Sequence, residues 1–194
     1  MTVEHYWAPR SLADALEHLR GGEVTILAGG TDLMPQSHAG RVTIKRGLLN
    51  VRRVPELHSV EVVDGAVRVG ALCTITELMR DALIRERFGI LAEACDRFEL
   101  ASKPNGSVKT RRVPLAEFFA GPGKTARRPD ELLCALRLPL PPEGFVGRFY
   151  KFGTRPALDI SAISIGIGGV RRGGGFAHAR LAYGAVAPVP MRAR

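Results

Sequence analysis

The sequence predicts an α+β fold, because two kinds of hydrophobic periodicity follow one another along its 194 residues. Near the start, apolar residues recur at the spacing of one helical face, and a short apolar run then ends in two glycines. From residue 59 onward, alternating apolar and polar residues flank turn sequences and indicate antiparallel hairpins. No stretch is long and apolar enough to predict a membrane span, and the composition excludes fibrous and disordered classes.

An amphipathic helix is predicted first, with Ser11 as its N-cap and Asp14 in the capping-box position. Its apolar face consists of Leu12, Ala15, Leu16 and Leu19. Residues 24–27 then predict a buried strand that leads directly into the glycine pair, and residues 47–51 predict another short strand. The first quarter of the chain is therefore a mixture of helix and strand.

The later elements are mostly hairpins. Residues 59–63 and 66–69 flank an Asp-Gly turn and predict the first hairpin, after which Thr74 and Glu77 form a capping box that opens a helix. Further strands are predicted at residues 97–101, 108–113, 132–138, 148–152, 161–170 and 177–183, and further helices at residues 90–95 and 115–119.

A change of pattern between Val51 and Ser59 predicts two lobes. We place a small mixed α/β lobe with the glycine loop at residues 1–55 and a larger lobe with an antiparallel sheet at residues 56–194. A cofactor held between the lobes would meet the glycine loop on one side and the larger lobe's sheet on the other.

The net charge of +9 raises the question of a nucleic-acid partner. The basic residues, however, come as separated pairs rather than as one dense stripe, so we predict no such partner. The pairs are Arg52-Arg53, Arg111-Arg112, Arg127-Arg128 and Arg171-Arg172. They are either solvated surface or contacts to an acidic partner subunit or an anionic cofactor.

The cysteines and histidines predict no metal site. Cys73, Cys95 and Cys134 are far apart and form no C-x-x-C pair, which favours buried thiols over disulfides, zinc or iron–sulfur ligation. The five histidines are equally scattered. No basic patch followed by an apolar run stands at the start of the sequence, so we expect a cytoplasmic protein.

The glycine segment after the first strand is the part of the chain most suited to binding a ligand. Gly29 and Gly30 can adopt positive φ and let successive backbone N–H groups converge on an anion, and Thr31 adds a hydroxyl donor. The spacing is neither G-x-G-x-x-G nor a Walker A loop, and a simple tight turn is the alternative. Asp32 would be unusual beside a diphosphate unless it caps local N–H groups or binds a ribityl or ribose hydroxyl.

Several separate segments carry a resemblance to a known family. They are residues 27–33, residues 69–72 with Thr74 and Leu78, residues 112–125, residues 129–133 and residues 155–161. In order and spacing they resemble the FAD-binding medium subunits of molybdenum hydroxylases, similar to those of carbon monoxide dehydrogenase and bacterial xanthine dehydrogenases. The resemblance covers nearly the full chain.

The resemblance implies the two-lobed FAD-binding fold shared with vanillyl-alcohol oxidase, with the FAD diphosphate at the first segment. The residues of that segment are Leu27, Ala28, Gly29, Gly30, Thr31, Asp32 and Leu33. It also makes Asp159 a candidate for a polar contact near the flavin, with a helix or turn cap as the alternative.

The resemblance further implies an electron-transfer role. FAD on this chain would take electrons from [2Fe-2S] clusters on a small partner subunit and pass them to an external acceptor such as NAD or a quinone. Molybdopterin is expected on a large partner subunit. No catalytic side chain is expected on this chain.

Two departures from the family pattern limit that expectation. Family members usually carry a second glycine motif, Thr-Ile-Gly-Gly-Asn, between the helix that here ends near Cys95 and the strand that begins near Arg97, and they continue into a small C-terminal domain. Both are missing from this sequence, either as true deletions or as omitted residues. The alternative is therefore a degenerate structural subunit that keeps the fold and the partner contacts but no longer binds flavin.

Overall fold

The structure, a computed structural model, describes residues 3–88, 97–155 and 160–193. These residues form a three-stranded parallel sheet, five-stranded and four-stranded antiparallel sheets, a two-stranded ribbon and several short helices. The predicted α+β class is confirmed. The helix predicted at residues 90–95 and the candidate Asp159 lie outside the described residues.

The first sheet is parallel, with its strands in the order β1-β3-β2. The strands are β1 (His5–Trp7), β2 (Val24–Leu27) and β3 (Gly47–Asn50). Helix α1 (Leu12–Leu19) packs its buried face against this sheet and begins at Ser11, whose hydroxyl accepts a hydrogen bond of 3.2 Å from the Asp14 N–H. The predicted helix and both predicted strands are confirmed, whereas β1 was not predicted.

The second sheet is antiparallel, in the order β4-β5-β10-β6-β7. Its strands are β4 (Val60–Val63), β5 (Ala66–Gly70), β6 (Arg97–Ser102), β7 (Lys109–Pro114) and β10 (Leu132–Pro139). Both predicted hairpins of this sheet are present. Their turns use left-handed backbone at Asp64 (φ 50°) and Asn105 (φ 52°), each followed by a glycine with positive φ, which is why Asp-Gly and Asn-Gly suit these positions.

Short helices and the ribbon cover one face of the second sheet. The covering elements are α3 (Ile75–Arg80), α4 (Ala82–Arg87), α5 (Leu115–Phe118), β8 (Phe119–Gly121) and β9 (Lys124–Thr125). Leu78 of α3 packs on Val67 and Val69 of β5, and Phe118 of α5 packs on Phe98 of β6 with ring centroids 4.0 Å apart. The capping box of Thr74 and Glu77 at the start of α3 is present as predicted.

One apolar cluster joins the first sheet to the second. Its buried members are Ala15, Leu16, Leu19, Leu49, Val51, Val54, Leu57, Ala101, Leu132 and Cys134. They come from both sides of the lobe boundary expected after residue 55, and the division into residues 1–55 and 56–194 stays a prediction. Burial raises the pKa of the Cys134 thiol to about 12, which makes it an unreactive part of this core.

The third sheet consists of β11 (Phe145–Gly153), β12 (Ser161–Arg172), β13 (Gly175–Gly184) and β14 (Met191–Arg192), in that order. The long strands were predicted at nearly these positions. Among the described residues, none of the buried apolar side chains belongs to this sheet, and large aromatic side chains such as Tyr150, Phe152 and Phe176 are exposed. Antiparallel ladder hydrogen bonds join its long strands.

The described helices are all too short to cross a membrane. Within the same ranges, no group of three or more His, Cys, Asp or Glu side chains is arranged to hold a metal ion.

Gly70, at the end of β5, permits a close approach between two backbone segments. A Cβ atom added at this position would lie 2.3 Å from the Leu57 carbonyl oxygen and 2.9 Å from the His58 nitrogen. The approach is fixed by hydrogen bonds from the Gly70 N–H to the Ser59 oxygen and from the Leu72 N–H to the Leu57 oxygen, each 2.8 Å long. Only glycine fits here, because the obstructing atoms are backbone and cannot rotate away.

We expect Gly70→Ala to lower the free energy of unfolding by about 3 kcal/mol or more, as overpacking against backbone forces the strands to shift. Urea unfolding of the purified chain measures this loss. The matched control is Gly21→Ala, where an added Cβ would meet no atom within 4 Å, and it should change stability by about 1 kcal/mol or less. Equal stability of the two variants would contradict the packing explanation.

Glu131, just before β10, is a buried carboxylate that fixes the loop around it. Only 2% of the residue is exposed, and its oxygens accept two hydrogen bonds from Arg111, of 2.6 and 2.7 Å, and one of 2.7 Å from the Arg128 N–H. Burial alone would raise the pKa of Glu131, but the Arg111 guanidinium and the Arg128 N–H outweigh it, so the pKa is lowered.

Because folding lowers this pKa, the stabilisation by Glu131 is fully present above the ordinary glutamate pKa and is lost as the pH falls through the lowered value. We expect Glu131→Gln to lower the free energy of unfolding by about 2 kcal/mol at neutral pH. Arg111 loses its charged partner in this variant, but water partly solvates its guanidinium. The difference in free energy of unfolding between the variant and the unmodified chain should become smaller below about pH 4. The control is Glu17→Gln, at a half-exposed carboxylate paired with Arg20 and Lys103, and it should lower the free energy of unfolding much less than Glu131→Gln does. A difference that persists at low pH would contradict this account.

Candidate functional site

The glycine loop, residues 28–32, lies at the carboxyl end of the parallel sheet. It follows β2 and leads into a six-residue helix, α2 (Leu33–His38), which sequence reasoning missed. Leu27 is paired with Asn50 of β3, and the Val51 N–H donates a hydrogen bond of 3.0 Å to the Leu27 oxygen. The carboxyl edge of parallel strands is where open α/β sheets bind ligands.

The two glycines of the loop have different structural roles. Gly30 has φ 81°, and a Cβ atom added there would lie 3.3 Å from Cδ1 of Leu27, so its conformation favours glycine. Gly29 is exposed and outside the left-handed region, and the atom nearest to an added Cβ would be Oγ1 of Thr31 at 4.0 Å. Gly30 therefore shapes the loop, while Gly29 leaves open space above it.

The backbone oxygens and the backbone N–H groups of the glycine loop differ in their hydrogen bonding. The Gly30 and Asp32 oxygens accept hydrogen bonds from the N–H groups of Met34 and Gln36, of 3.0 and 3.1 Å. The N–H groups of residues 29–33, by contrast, have no acceptor within the ranges that the structure describes. Consecutive free N–H groups around a glycine with positive φ form a concavity that suits phosphate oxygens. The loop therefore fits an anionic group.

Asp32 does not cap the backbone, contrary to one of the two roles considered from the sequence. Its side chain makes no capping hydrogen bond, and Oδ2 instead accepts a bond of 2.6 Å from Nε2 of Gln36 in α2. The carboxylate is thus directed along α2 and tied to it. The other role, a bond to a ribityl or ribose hydroxyl, stays a prediction.

The apolar members of the predicted site anchor the loop. Leu27, Ala28 and Leu33 are half-buried, and Ala28 packs against the cluster that joins the two sheets. Thr31 is exposed, so its hydroxyl is accessible from solvent. The structure therefore brings together the predicted residues from 27 to 33, whereas Asp159 lies outside the described residues.

A polar edge next to the loop was not predicted. The Asn50 amide donates a hydrogen bond of 2.8 Å to the Tyr6 hydroxyl and accepts one of 3.1 Å from the Arg52 N–H. Arg52 and Arg53 follow β3 directly and are exposed. The sequence contained the basic pair but not the strand pairing that brings it beside the glycine loop.

Two open grooves lie away from the loop. One is lined by residues 171–176 at the turn between β12 and β13, and the other by Thr25, Lys45, Arg127 and neighbouring residues. Neither includes Gly29, Gly30 or Asp32. We assign the candidate site to the loop rather than to either groove, because the N–H groups of the loop have no acceptor in the part of the chain that the structure describes.

The comparison with known families bears directly on this loop. Residues 1–104, more than half of the 194-residue chain, match the family model described as "FAD binding domain in molybdopterin dehydrogenase". The chain belongs to this family. The resemblance identified from the sequence is confirmed, and the matched range contains the whole glycine loop.

Individual relatives agree with this membership. The chain is 28% identical to the xanthine dehydrogenase FAD-binding subunit of Escherichia coli O157:H7 over 96% of this chain and 75% of that protein. It is 24% identical to the carbon monoxide dehydrogenase medium chain of Hydrogenophaga pseudoflava, over 96% and 76% of the two. The predicted class, an oxidoreductase subunit, is confirmed.

Solved structures show the same fold. A chain of carbon monoxide dehydrogenase from Hydrogenophaga pseudoflava superposes with a TM-score of 0.86 at 24% identity, covering 97% of this chain and 76% of that one. A chain of quinoline 2-oxidoreductase from Pseudomonas putida 86 gives a TM-score of 0.82 at 23% identity, covering 99% and 77%. The predicted FAD-binding fold is confirmed.

The alignments also bear on the expected internal gap. The alignment with the xanthine dehydrogenase subunit extends over 221 residues, more than the 194 of this chain. That subunit therefore contains residues, within the aligned range, that have no counterpart here. The absence of a second glycine motif between Cys95 and Arg97 would account for such residues. The position of the gap stays a prediction.

The different roles of the two glycines can be separated by their effect on stability. We expect Gly30→Ala to lower the free energy of unfolding by about 1–2 kcal/mol, because an alanine there must adopt left-handed backbone. Gly29→Ala, with open space at its Cβ position, should stay within about 0.5 kcal/mol of the unmodified chain. Urea unfolding of both variants measures the difference, and a larger loss for Gly29→Ala would contradict the assigned roles.

Proposed function

We propose that this chain binds FAD at the glycine loop and carries electrons within a molybdenum-containing dehydrogenase complex. The single observation that supports the proposal most is the row of N–H groups at residues 29–33 that have no acceptor among the described residues, in a chain that belongs to an FAD-binding family. Neutral backbone donors at a sharp loop are well suited to diphosphate oxygens.

Each residue of the loop has a role in this proposal. The N–H groups of residues 29–33 donate to the diphosphate, and Gly29 leaves the room that a phosphate needs to approach the backbone. The Thr31 hydroxyl is an additional donor. Asp32, held by Gln36 through one oxygen, keeps the other oxygen available for a ribityl or ribose hydroxyl.

The remaining parts of the proposal follow from the family. When bound, FAD supplies the electron-carrying chemistry, and the chain holds it in place and tunes it through nearby polar groups, of which Asp159 is one candidate. Electrons come from [2Fe-2S] clusters on a small partner subunit of a complex whose large subunit carries molybdopterin. They leave to an external acceptor such as NAD or a quinone. A cytoplasmic location belongs to the same proposal.

A degenerate structural subunit is the competing function. One observation favours it: within the aligned range, the xanthine dehydrogenase subunit contains residues that have no counterpart in this chain. If the second glycine motif is among these residues, this chain lacks part of the binding site for the diphosphate. Such a chain would keep its contacts with partner subunits and contain no flavin.

Substitution of Gly29 tests the proposal with little disturbance of the fold. We expect Gly29→Val to weaken FAD binding at least about tenfold, because its methyl groups occupy the space that a phosphate would enter. Titration of the purified chain with FAD, followed by flavin fluorescence, measures the affinity. The matched control is Gly21→Val, which also adds a side chain in open space and should bind FAD as the unmodified chain does.

The outcomes separate the two functions. An unmodified chain that takes up no FAD, alone or with its partner subunits, contradicts flavin binding and favours the structural subunit. Equal affinity of Gly29→Val and the unmodified chain refutes the placement at the loop. In the assembled complex, Gly29→Val should slow reduction of the external acceptor while reduction of the molybdenum and iron–sulfur centres by substrate continues, as expected for a relay through FAD.

A further inference from the structure

We propose that Arg52 and Arg53 form a cationic second half of the FAD diphosphate site, an inference that rests on the proposed function. The two residues follow β3, and the glycine loop follows β2. Both arginines lie within the range matched by the family model but outside the glycine loop. Strand pairing, rather than a sequence motif, brings the two segments together.

The register of β2 and β3 places this basic pair beside the loop. Leu27, the last residue of β2, is paired with Asn50, the last residue of β3, and the Val51 N–H donates to the Leu27 oxygen at 3.0 Å. The segments that follow the two strands therefore begin side by side at the carboxyl end of the parallel sheet. Because neighbouring strands lie about 4.8 Å apart, an arginine side chain that follows one strand can extend to a ligand held at the end of the next.

The backbone of the basic pair is fixed, while its side chains are free. The Arg52 N–H donates to Oδ1 of Asn50 at 3.1 Å, and the Arg52 oxygen contacts Nε2 of His58 at 3.1 Å. The Val54 N–H closes the turn by a bond of 3.1 Å to the Val51 oxygen. In the part of the chain that the structure describes, neither guanidinium has a partner, and both residues are exposed.

Charge explains why the loop needs such a neighbour. Residues 28–33 contain no basic residue and one carboxylate, Asp32, whereas each phosphate of a diphosphate carries a negative charge. Backbone N–H groups orient the oxygens but contribute only partial charges. A guanidinium adds a full charge and a planar pair of donors that matches two phosphate oxygens.

Two other arginine pairs differ from this one because protein acceptors already engage at least one member of each, whereas the exposed pair Arg171-Arg172 lies on the third sheet. Arg111 forms two hydrogen bonds with Glu131, and Arg127 donates to the Glu131 backbone oxygen at 2.7 Å. Arg112 lies 3.5 Å from an oxygen of Asp64. The pair at the edge of the parallel sheet is thus available for an anion from outside the chain.

The test uses the full chain and the double variant Arg52→Ala/Arg53→Ala. We expect its dissociation constant for FAD to rise at least about tenfold, as hydrogen bonds to a charged partner are lost. The control is Arg171→Ala/Arg172→Ala, which removes the same charge from an exposed pair on the third sheet and should change FAD affinity by less than about twofold. Arg52→Lys/Arg53→Lys keeps both charges and should restore most of the affinity.

Salt provides a measurement that does not depend on any variant. FAD binding by the unmodified chain should weaken as salt rises from about 0.05 to 0.5 M, and the double alanine variant should lose most of this dependence. Salt-independent binding by the unmodified chain, or equal losses in the test and control variants, would overturn the inference. If the unmodified chain binds FAD and the double alanine variant binds it equally well, the inference fails and the proposed function stands. If the unmodified chain binds no FAD, alone or with its partner subunits, the proposed function fails, and this inference fails with it.

Discussion

The parallel pairing of β2 with β3 is the constraint on which the site and the connection between the sheets depend. Parallel strands need a crossover, and here residues 28–46 provide it, beginning with the glycine loop and α2. The chain after β3 then enters the shared apolar cluster through Val54 and Leu57. Because Leu57 also lies against Gly70, a shift of β3 would disturb the second sheet as well as the loop.

Local patterns in the sequence predicted most of the elements and only part of the site. The capping residues Ser11 and Thr74 act as expected, because an N-cap depends on residues within one helical turn. Helix α2 was missed since Pro35 interrupts its pattern, although proline is tolerated in a first turn, where N–H groups have no helical partner. The glycine loop was recognised as a possible anion site, but its free N–H groups follow from tertiary structure that periodicity does not contain.

The structure divides the arginine pairs that the sequence treated alike. Charge patterning alone left a solvated surface, an acidic partner and an anionic cofactor as alternatives for all of them. Glu131, which is buried just before β10, accepts hydrogen bonds from the Arg111 guanidinium and the Arg128 N–H. The positive charge of Arg111 therefore serves to stabilise the fold. Arg52 and Arg53 have no such acceptor in the described chain, and they lie where an anion is expected. A net charge of +9 therefore does not describe one uniform basic surface.

The glycine loop shows how a short motif can combine a requirement of the fold with a requirement of binding. Gly30 adopts left-handed backbone, so the conformation of the loop is sufficient to explain a glycine at this position. Gly29 is under no such conformational demand, since its φ lies outside that region and its Cβ position is open. Gly29 is not required by the fold, and the N–H groups beside it have no acceptor within the described ranges. The approach of a ligand explains such a glycine more simply than the turn itself does. This reasoning makes Gly29, rather than the more strained Gly30, the residue on which the assignment of a binding site depends.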